Sequence, residues 1–295
     1  HLISRTLQVL KELIFMADYA LTGHPLGHSM SPLIHNRLFE LSGITDARYS
    51  LVDIAPEDIP NSRALIEKYA GMNVTIPHKQ TVIALMDELA DSALRYNSVN
   101  CIKNDDGRLI GFNTDCDGFL RSAEQLPING NVVILGCGGV GRMMAIETAL
   151  HGGALTLAVL KKDIGLAQNL TDEILAKCSG ASVKIVDISG LDGKFDLMVN
   201  ATPVGMYPKV EGCPVSDSAV ENCSAFFDAV YNPTETTLIR KARAMGKTAV
   251  GGASMLVYQA VKAHEIWYGG SFGTQELSTI IKEVEAAVDS MNQDG

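Results

Sequence analysis

Residues 131–150 read NVVILGCGGVGRMMAIETAL, and the fold follows from how they are spaced. An apolar, β-type run ends at Leu135. Gly136, Gly138 and Gly141 then fall in G-x-G-x-x-G spacing, and apolar residues continue at helical intervals for about three turns. Each glycine has its own task in a strand–turn–helix unit. Gly136 permits the tight turn, Gly138 lacks the Cβ that would hold a pyrophosphate away, and Gly141 lets helix and strand pack closely. The helix N-terminus, at Gly139 and Val140, adds unpaired N–H groups and the positive end of a dipole, so the expected ligand is a dinucleotide.

The same alternation of short β-rich runs and longer helical ones extends in both directions. Strands are predicted at 17–23, 47–54, 71–76, 98–102 and 108–113, with helices at 31–42, 56–69 and 78–85. Beyond them come a helix from Asp117, strands at 131–136, 155–160, 182–186, 195–200 and 225–230, and helices from Val140 and Ile164. Helical rhythms at 236–245, 253–267 and 275–291 close the chain. This predicts a two-lobed α/β protein with largely parallel sheets. Residues 1–115 would form an N-terminal α/β domain and residues 116–250 a Rossmann-like, doubly wound domain, with C-terminal helices at 251–295 packing back on the first. Ile3, Leu7, Leu10 and Ile14 recur at helical spacing, and Met16 stands directly before a strand. Residues 1–15 are therefore read either as an amphipathic helix of the fold or as an extension ahead of it.

Composition narrows the classes. With 295 residues the chain is long enough for two cores, and 46% hydrophobic against 20% charged residues marks a folding sequence. Thirty-four acidic against 24 basic residues give a net charge of −10, and no basic run tracks a phosphate backbone, which argues against nucleic acid as partner. No apolar stretch is long enough to span a bilayer. Six scattered cysteines without CxxC spacing disfavour a disulfide framework and a zinc site alike; the expectation is reduced thiols in a cytoplasm, with no metal.

Cofactor type is read at the end of the second nucleotide strand, where Lys161, Lys162 and Asp163 follow Leu160. Two ammonium groups attract a 2′-phosphate and the carboxylate repels it, so NADP(H) is expected with NAD(H) as the alternative. Four further motifs carry polar groups towards a ligand. GHPLGHSMSP delivers Ser29 and Ser31 to a helix start, with Ser31 read as N-cap beside Pro32. GMNVTIPHK puts Asn73 and Thr75 two apart on one face and then Lys79 in a loop. SVNC ends on Asn100 and Cys101, and GFNTDCDG holds Asn113, Thr114 and Asp115 between strand and helix. Buried amides and hydroxyls need partners, and a polyhydroxylated ligand would provide them.

These residues resemble the shikimate and quinate dehydrogenases, in order, from Leu21 to about residue 269. The motifs HSMSP, NVTIPHK, NTDCDG, GCGGVG, NATPVGM, DAVYNP and MLVYQ carry the resemblance. It implies reversible hydride transfer between a nicotinamide and the C3 carbonyl of 3-dehydroshikimate, a step in making aromatic amino-acid precursors. By the same resemblance Lys79 and Asp115 would be the catalytic pair, with Ser29, Ser31, Asn73, Thr75, Asn100, Tyr231 and Gln259 lining the substrate pocket. Thr202, Met206, Gly252 and Met255 would complete the cofactor set. Three positions depart from the family pattern: Lys162 and Asp163 replace its Arg-Thr, Cys101 replaces a Thr, and Val140 with Arg142 replaces small residues. His28 and His35 are read as packing or capping groups. The alternatives are a quinate/shikimate dehydrogenase using NAD, and a non-catalytic sensor of a cyclic hydroxy acid; monomer and homodimer both stay open.

Overall fold

The computed structural model describes residues 18–27 and 29–293, so the N-terminal stretch and His28 lie outside the described residues. Contacts divide the chain into two compact units. One comprises the residues up to Thr114 together with Ala260–Glu276, and the other Asp115–Gln259 together with the residues from Leu277. The C-terminal stretch expected to act as one block is thus shared, and the division falls inside a single continuous helix.

In the first unit the described elements are β1 (Asp18–Gly23), α1 (Ser31–Leu41), β2 (Arg48–Asp53), α2 (Arg63–Ile66), β3 (Gly71–Val74), β4 (Glu88–Leu89), α3 (Asp91–Tyr96), β5 (Cys101–Asp105) and β6 (Arg108–Phe112). They form one six-stranded sheet in the order β2-β1-β3-β5-β6-β4. Within the largely parallel pairing that was expected, this sheet is mixed: β5 runs antiparallel to both β3 and β6. The cause is local. Asp106 (φ 52°) and Gly107 (φ 90°) make a two-residue turn with both residues left-handed, the geometry that matches the twist of a hairpin.

One sheet face buries Ala20, Met72, Ile102 and Leu109 against Ile59, Ile66 and Val82. The other buries Tyr19, Leu21 and Cys101 against Phe39, Ala263 and Trp267. Gly71 is what lets the indole lie flat on that face, since a Cβ there would stand 2.3 Å from Trp267 Nε1. Two expected helices are replaced by tighter turns. Residues 56–69 hold a 3₁₀ turn at Ile59–Asn61 and then only the four-residue α2, because Pro60 offers no N–H and Arg63 is drawn off to Asp87 and to the Leu85 carbonyl. Residues 78–85 carry a 3₁₀ turn at Thr81–Leu85. Ile59, Ile66, Val82 and Leu85 are buried all the same, so the apolar spacing serves the core without a long helix.

The second unit contains α4 (Asp115–Ser122), β7 (Asn131–Leu135), α5 (Gly139–Leu150), β8 (Ala154–Val159), α6 (Ile164–Lys177), β9 (Val183–Asp187), β10 (Phe195–Asn200), α7 (Asp217–Glu221), β11 (Cys223–Asp228), α8 (Thr237–Ala244), β12 (Thr248–Val250), α9 (Ala253–Tyr268) and α10 (Thr274–Gln293), the last two only in part. Its sheet is parallel throughout, in the order β12-β11-β10-β7-β8-β9. That is the doubly wound order, and it reverses between β7 and β10. Val133, Leu135, Met198 and Phe226 fill its core with Leu238 and Ile239 of α8. No described helix is long and apolar enough to cross a membrane.

Candidate functional site

In the first unit the polar motifs converge on the ends of β1, β2 and β3. Asp53, the last residue of β2, accepts from Leu26 N at 2.8 Å and from His24 Nδ1 at 2.7 Å. The Leu26 N–H and then the imidazole hold its carboxyl below the usual aspartate range. This clamp fixes the loop that delivers the two serines. At Gly23 a Cβ would lie 2.4 Å from Thr75 Cγ2, so only glycine lets the loop after β3 cross there.

The helix start corrects the sequence reading. Met30 is the N-cap, its carbonyl accepting from Ile34 N at 3.1 Å, and Ser31 is already inside the first turn. Ser29 Oγ accepts from Ser31 N at 3.2 Å, so Ser29 satisfies a terminal N–H, while the Ser31 hydroxyl bonds the Tyr49 phenol. Tyr49 also donates to Asn73 Oδ1 at 2.8 Å. Asn73 Nδ2 donates to the Asn100 carbonyl at 3.3 Å, and Asn100 Oδ1 accepts from Thr114 N at 2.7 Å and Thr114 Oγ1 at 3.2 Å. Ser31, Asn73 and Asn100 thereby belong to one hydrogen-bonded series. Asn73, Asn100 and Thr114 are all buried.

Tyr49 is the member that sequence reasoning missed. Its signal is a tyrosine on the buried face of an otherwise exposed strand, because a buried phenol needs a partner. Burial pushes its pKa well above the ordinary value, so it stays a donor. His35 packs in parallel on its ring at 4.1 Å and bonds His264 at 2.8 Å, which accounts for that histidine as packing. Thr75 follows β3 with its N–H on Thr22 O at 2.8 Å. Lys79 stands four residues on. Its carbonyl accepts from Val99 N at 2.7 Å and its neighbour His78 bonds Ile54 O at 2.6 Å, which anchors the backbone that carries the ammonium.

The second unit holds the glycine loop. Gly136 has φ +88°, a left-handed conformation that a side chain would strain. At Gly141 a Cβ would meet the Gly136 carbonyl oxygen at 2.4 Å, so the glycine is what lets α5 approach β7. At Gly138 and Gly139 nothing lies within 4 Å of an added Cβ, and no side chain caps the α5 N-terminus. Open space, free N–H groups and a positive dipole end meet at one point, which suits a pyrophosphate. Beside it Val140, Thr202, Met206, Val230 and Tyr231 line a cavity of about 400 Å³ at the carboxyl ends of β10 and β11. These residues fit a dinucleotide extending from the glycine loop.

Other expected cofactor groups are not among the residues that line that cavity. Gly252 packs with its Cβ position 2.5 Å from the Ala229 carbonyl oxygen, and so backs the cavity wall, while Met255 is buried in α9. At the end of β8, Lys161 is 85% exposed and 3.8 Å from Asp187. Lys162 is exposed, and the charge of Asp163 acts on the buried Cys137 thiol, adding to burial in raising its pKa. Arg142, one of the departures, is held by Glu173 at 2.7 Å and 2.6 Å. Asp115 opens α4, where the dipole favours a carboxylate. One turn on, a Cβ at Gly118 would lie 2.7 Å from Met255 O and 3.1 Å from Gln259 Cβ, so α4 and α9 pack there nearly backbone to backbone. Gln259 Nε2 donates to Leu256 O at 2.9 Å.

A second group escaped sequence reasoning: Asn200, Asp228 and Thr236, which open the NATPVGM and DAVYNP loops or close the latter. Asn200 and Asp228 are wholly buried polar residues at the ends of neighbouring strands, and that placement was the available signal. Among the described residues no group of three His, Cys, Asp or Glu side chains could hold a metal ion.

Comparison with known proteins adds the relatives. Residues 21–102 match the family model for the shikimate dehydrogenase substrate binding domain. A shikimate dehydrogenase (NADP(+)) of Caldanaerobacter subterraneus subsp. tengcongensis is 36% identical over 264 residues, covering 86% of this chain and 92% of that protein. Among solved structures, a chorismate mutase/shikimate 5-dehydrogenase fusion protein from Clostridium acetobutylicum superposes with a TM-score of 0.83 at 32% identity, over 94% of this chain and 100% of that one. Shikimate 5-dehydrogenase from Thermus thermophilus, in complex with NADP(H) and shikimate, gives a TM-score of 0.79 at 28% identity, over 91% and 99%.

Proposed function

This chain belongs to the shikimate dehydrogenase family, and from that membership we infer that it is an NADP-dependent oxidoreductase interconverting 3-dehydroshikimate and shikimate. The observation that carries the reading is the pairing, within one chain, of a parallel sheet whose order reverses beside a G-x-G-x-x-G turn with a buried Ser31–Tyr49–Asn73–Asn100 series suited to a hydroxylated acid.

When bound, the dinucleotide supplies the hydride to the carbonyl carbon, or takes it in the reverse direction. Gly136, Gly138, Gly139, Val140 and Gly141 would hold its pyrophosphate, and Lys161 and Lys162 its 2′-phosphate. Thr202 and Met206 would wall its far end, and Tyr231, expected among the substrate groups, lines the same cavity. As hydride arrives, the carbonyl oxygen gains negative charge, and the ammonium of Lys79 gives it a proton. Asp115, at the start of α4, would complete the catalytic pair that the family resemblance implies. Ser29 and Ser31, at the positive end of α1, suit the substrate carboxylate, while Asn73, Thr75, Asn100 and Gln259 offer amide and hydroxyl groups to the ring. The six cysteines are thiols, five of them buried, which supports a reducing, cytoplasmic setting. Monomer and homodimer both remain compatible with this chemistry.

Asp163 beside the two lysines favours a second reading, a quinate/shikimate dehydrogenase that also takes NAD. Initial rates with each pairing of NADP or NAD with shikimate or quinate, following reduced nicotinamide, test both. NADP with shikimate is expected to give the highest kcat/KM. Turnover with quinate and NAD at a comparable rate would favour the second reading, and silence with every pair would leave only a binding protein.

A further inference from the structure

Two loops wall the cavity of the second unit, residues 201–207 after β10 and residues 229–232 after β11. One carboxylate ties both of them down. Asp228, the last residue of β11, is wholly buried and accepts three hydrogen bonds. Val230 N at 3.0 Å and Thr236 Oγ1 at 2.7 Å come from its own loop, and Asn200 Nδ2 at 2.9 Å comes from the end of β10. Asn200 Oδ1 in turn accepts from Thr202 N at 3.1 Å and Thr202 Oγ1 at 2.7 Å. Ala229 N donates to the Asn200 carbonyl at 2.9 Å, so backbone and side chains brace the same two strand ends.

The arrangement has one polarity. Turning the Asn200 amide would set its oxygen against the carboxylate and its NH₂ against the Thr202 N–H. Three donors on two oxygens call for the ionised acid, and isolating such a charge from water is costly. Apolar residues would brace two strand ends without that cost, so the expense is informative only if the positions of the loops themselves matter.

We propose that Asp228 is a positioning residue for the dinucleotide: through Asn200 and Thr236 it holds Thr202, Val230 and Tyr231 where the nicotinamide end must pass between the two loops. This rests on reading the cavity as part of the dinucleotide site. Asp228 itself touches neither the cofactor nor the reacting atoms. Its role is to fix the spacing of groups that do.

The carboxylate is also the point at which the brace can fail. Burial pushes its pKa up to about 6, against the pull of Thr236, Val230 and Asn200. A proton on either oxygen turns an acceptor into a donor that faces one of those three groups. The partners facing it from β10, from its own loop and from the start of α8 are uncharged. Glu235, in the same loop, pairs with Arg243 at 2.8 Å, and Tyr207 and Tyr231 are the other titratable side chains of the walls.

The test is calorimetric titration of the full chain with NADP and, separately, with the adenosine bisphosphate half of NADP, which lacks the nicotinamide and so does not need the two loops. Asp228→Asn is expected to weaken NADP about tenfold and to leave the half-molecule within about twofold. A merely structural role would weaken both together or only lower the Tm, and either result overturns the proposal. If Asp228→Asn does not fold, the wild-type protein suffices. Against NADP lacking only its nicotinamide base, whose phosphates are the same as those of NADP, the affinity ratio should move against NADP as pH falls from about 7.5 to about 5 across the Asp228 pKa; a constant ratio overturns the proposal. Wild-type protein that binds the half-molecule but not NADP would also overturn it, whereas protein that binds neither would remove the dinucleotide reading on which it rests.

Discussion

Tyr49→Phe isolates one hydroxyl that joins two candidate substrate groups. The phenol donates to Asn73 Oδ1 at 2.8 Å and is bonded by the Ser31 hydroxyl. Tyr49 is 8% exposed and Asn73 4%, so water cannot readily replace the missing partner. Leaving a buried acceptor unpaired costs about 1–3 kcal/mol. Phenylalanine keeps the ring that stacks on His35 at 4.1 Å, so no cavity cost is added. At about 2–4 °C per kcal/mol for a protein of this size, thermal unfolding followed by circular dichroism should fall by several degrees. The catalytic consequence is the sharper test. With Asn73 and Ser31 no longer held together, KM for shikimate should rise about tenfold, corresponding to about 1.4 kcal/mol, while KM for NADP stays within about twofold. Initial rates at saturating NADP against shikimate concentration measure the first, and the converse series measures the second. A lower Tm with unchanged KM for shikimate would reduce Tyr49 to a packing residue. No change in either would refute the bridging bond itself.

Three further outcomes follow from the same geometry. Lys79→Ala should lower kcat by about 10²–10⁴-fold with a much smaller change in KM for shikimate, since its proton is needed only as charge develops; normal turnover with a raised KM would contradict that role. Gly138→Ala and Gly141→Ala should behave oppositely in paired measurements of Tm and NADP affinity. A Cβ at Gly138 meets nothing within 4 Å and should cost affinity without stability, whereas at Gly141 it stands 2.4 Å from the Gly136 carbonyl oxygen and should cost about 1–3 kcal/mol of stability as well. For Asp228, the folded pKa of about 6 lies above the ordinary 3.8, so the folded protein holds this proton more tightly than the unfolded chain. The stabilising contribution is complete below the unfolded value and is lost as pH rises through the folded one. Denaturant unfolding should therefore show the stability of the wild type relative to Asp228→Asn declining between about pH 4 and 6.5 and level above about 7; a flat difference over that range would deny the raised pKa.

Different parts of the candidate site were legible to different degrees, and locality separates them. The glycine loop could be read because strand, turn and helix are consecutive, and each requirement acts on residues within a dozen positions of one another. Asn73 and Thr75 stood out because polar groups two apart in an apolar run need partners. The helix start was displaced by one residue, enough to exchange the roles of Ser29 and Ser31, since both serines satisfy the same local rule and only the winding of α1 distinguishes them. The helix expected at 56–69 failed because its apolar spacing is met by turns whose polar ends are taken up by residues more than 20 positions away, Leu85 and Asp87.

From the sequence alone came the α/β class, the dinucleotide turn and the residue types able to serve a hydroxy acid and a hydride transfer, because backbone conformation and side-chain chemistry are set by near neighbours. Only the tertiary structure could decide the mixed pairing of the first sheet, the sharing of the C-terminal helices between two units, and the buried bonds that join Tyr49 to Asn73 and Asp228 to Asn200. Those bonds link residues 24 and 28 positions apart. Their strength comes from the exclusion of water, and that is a property of the packed interior which no local stretch of chain possesses.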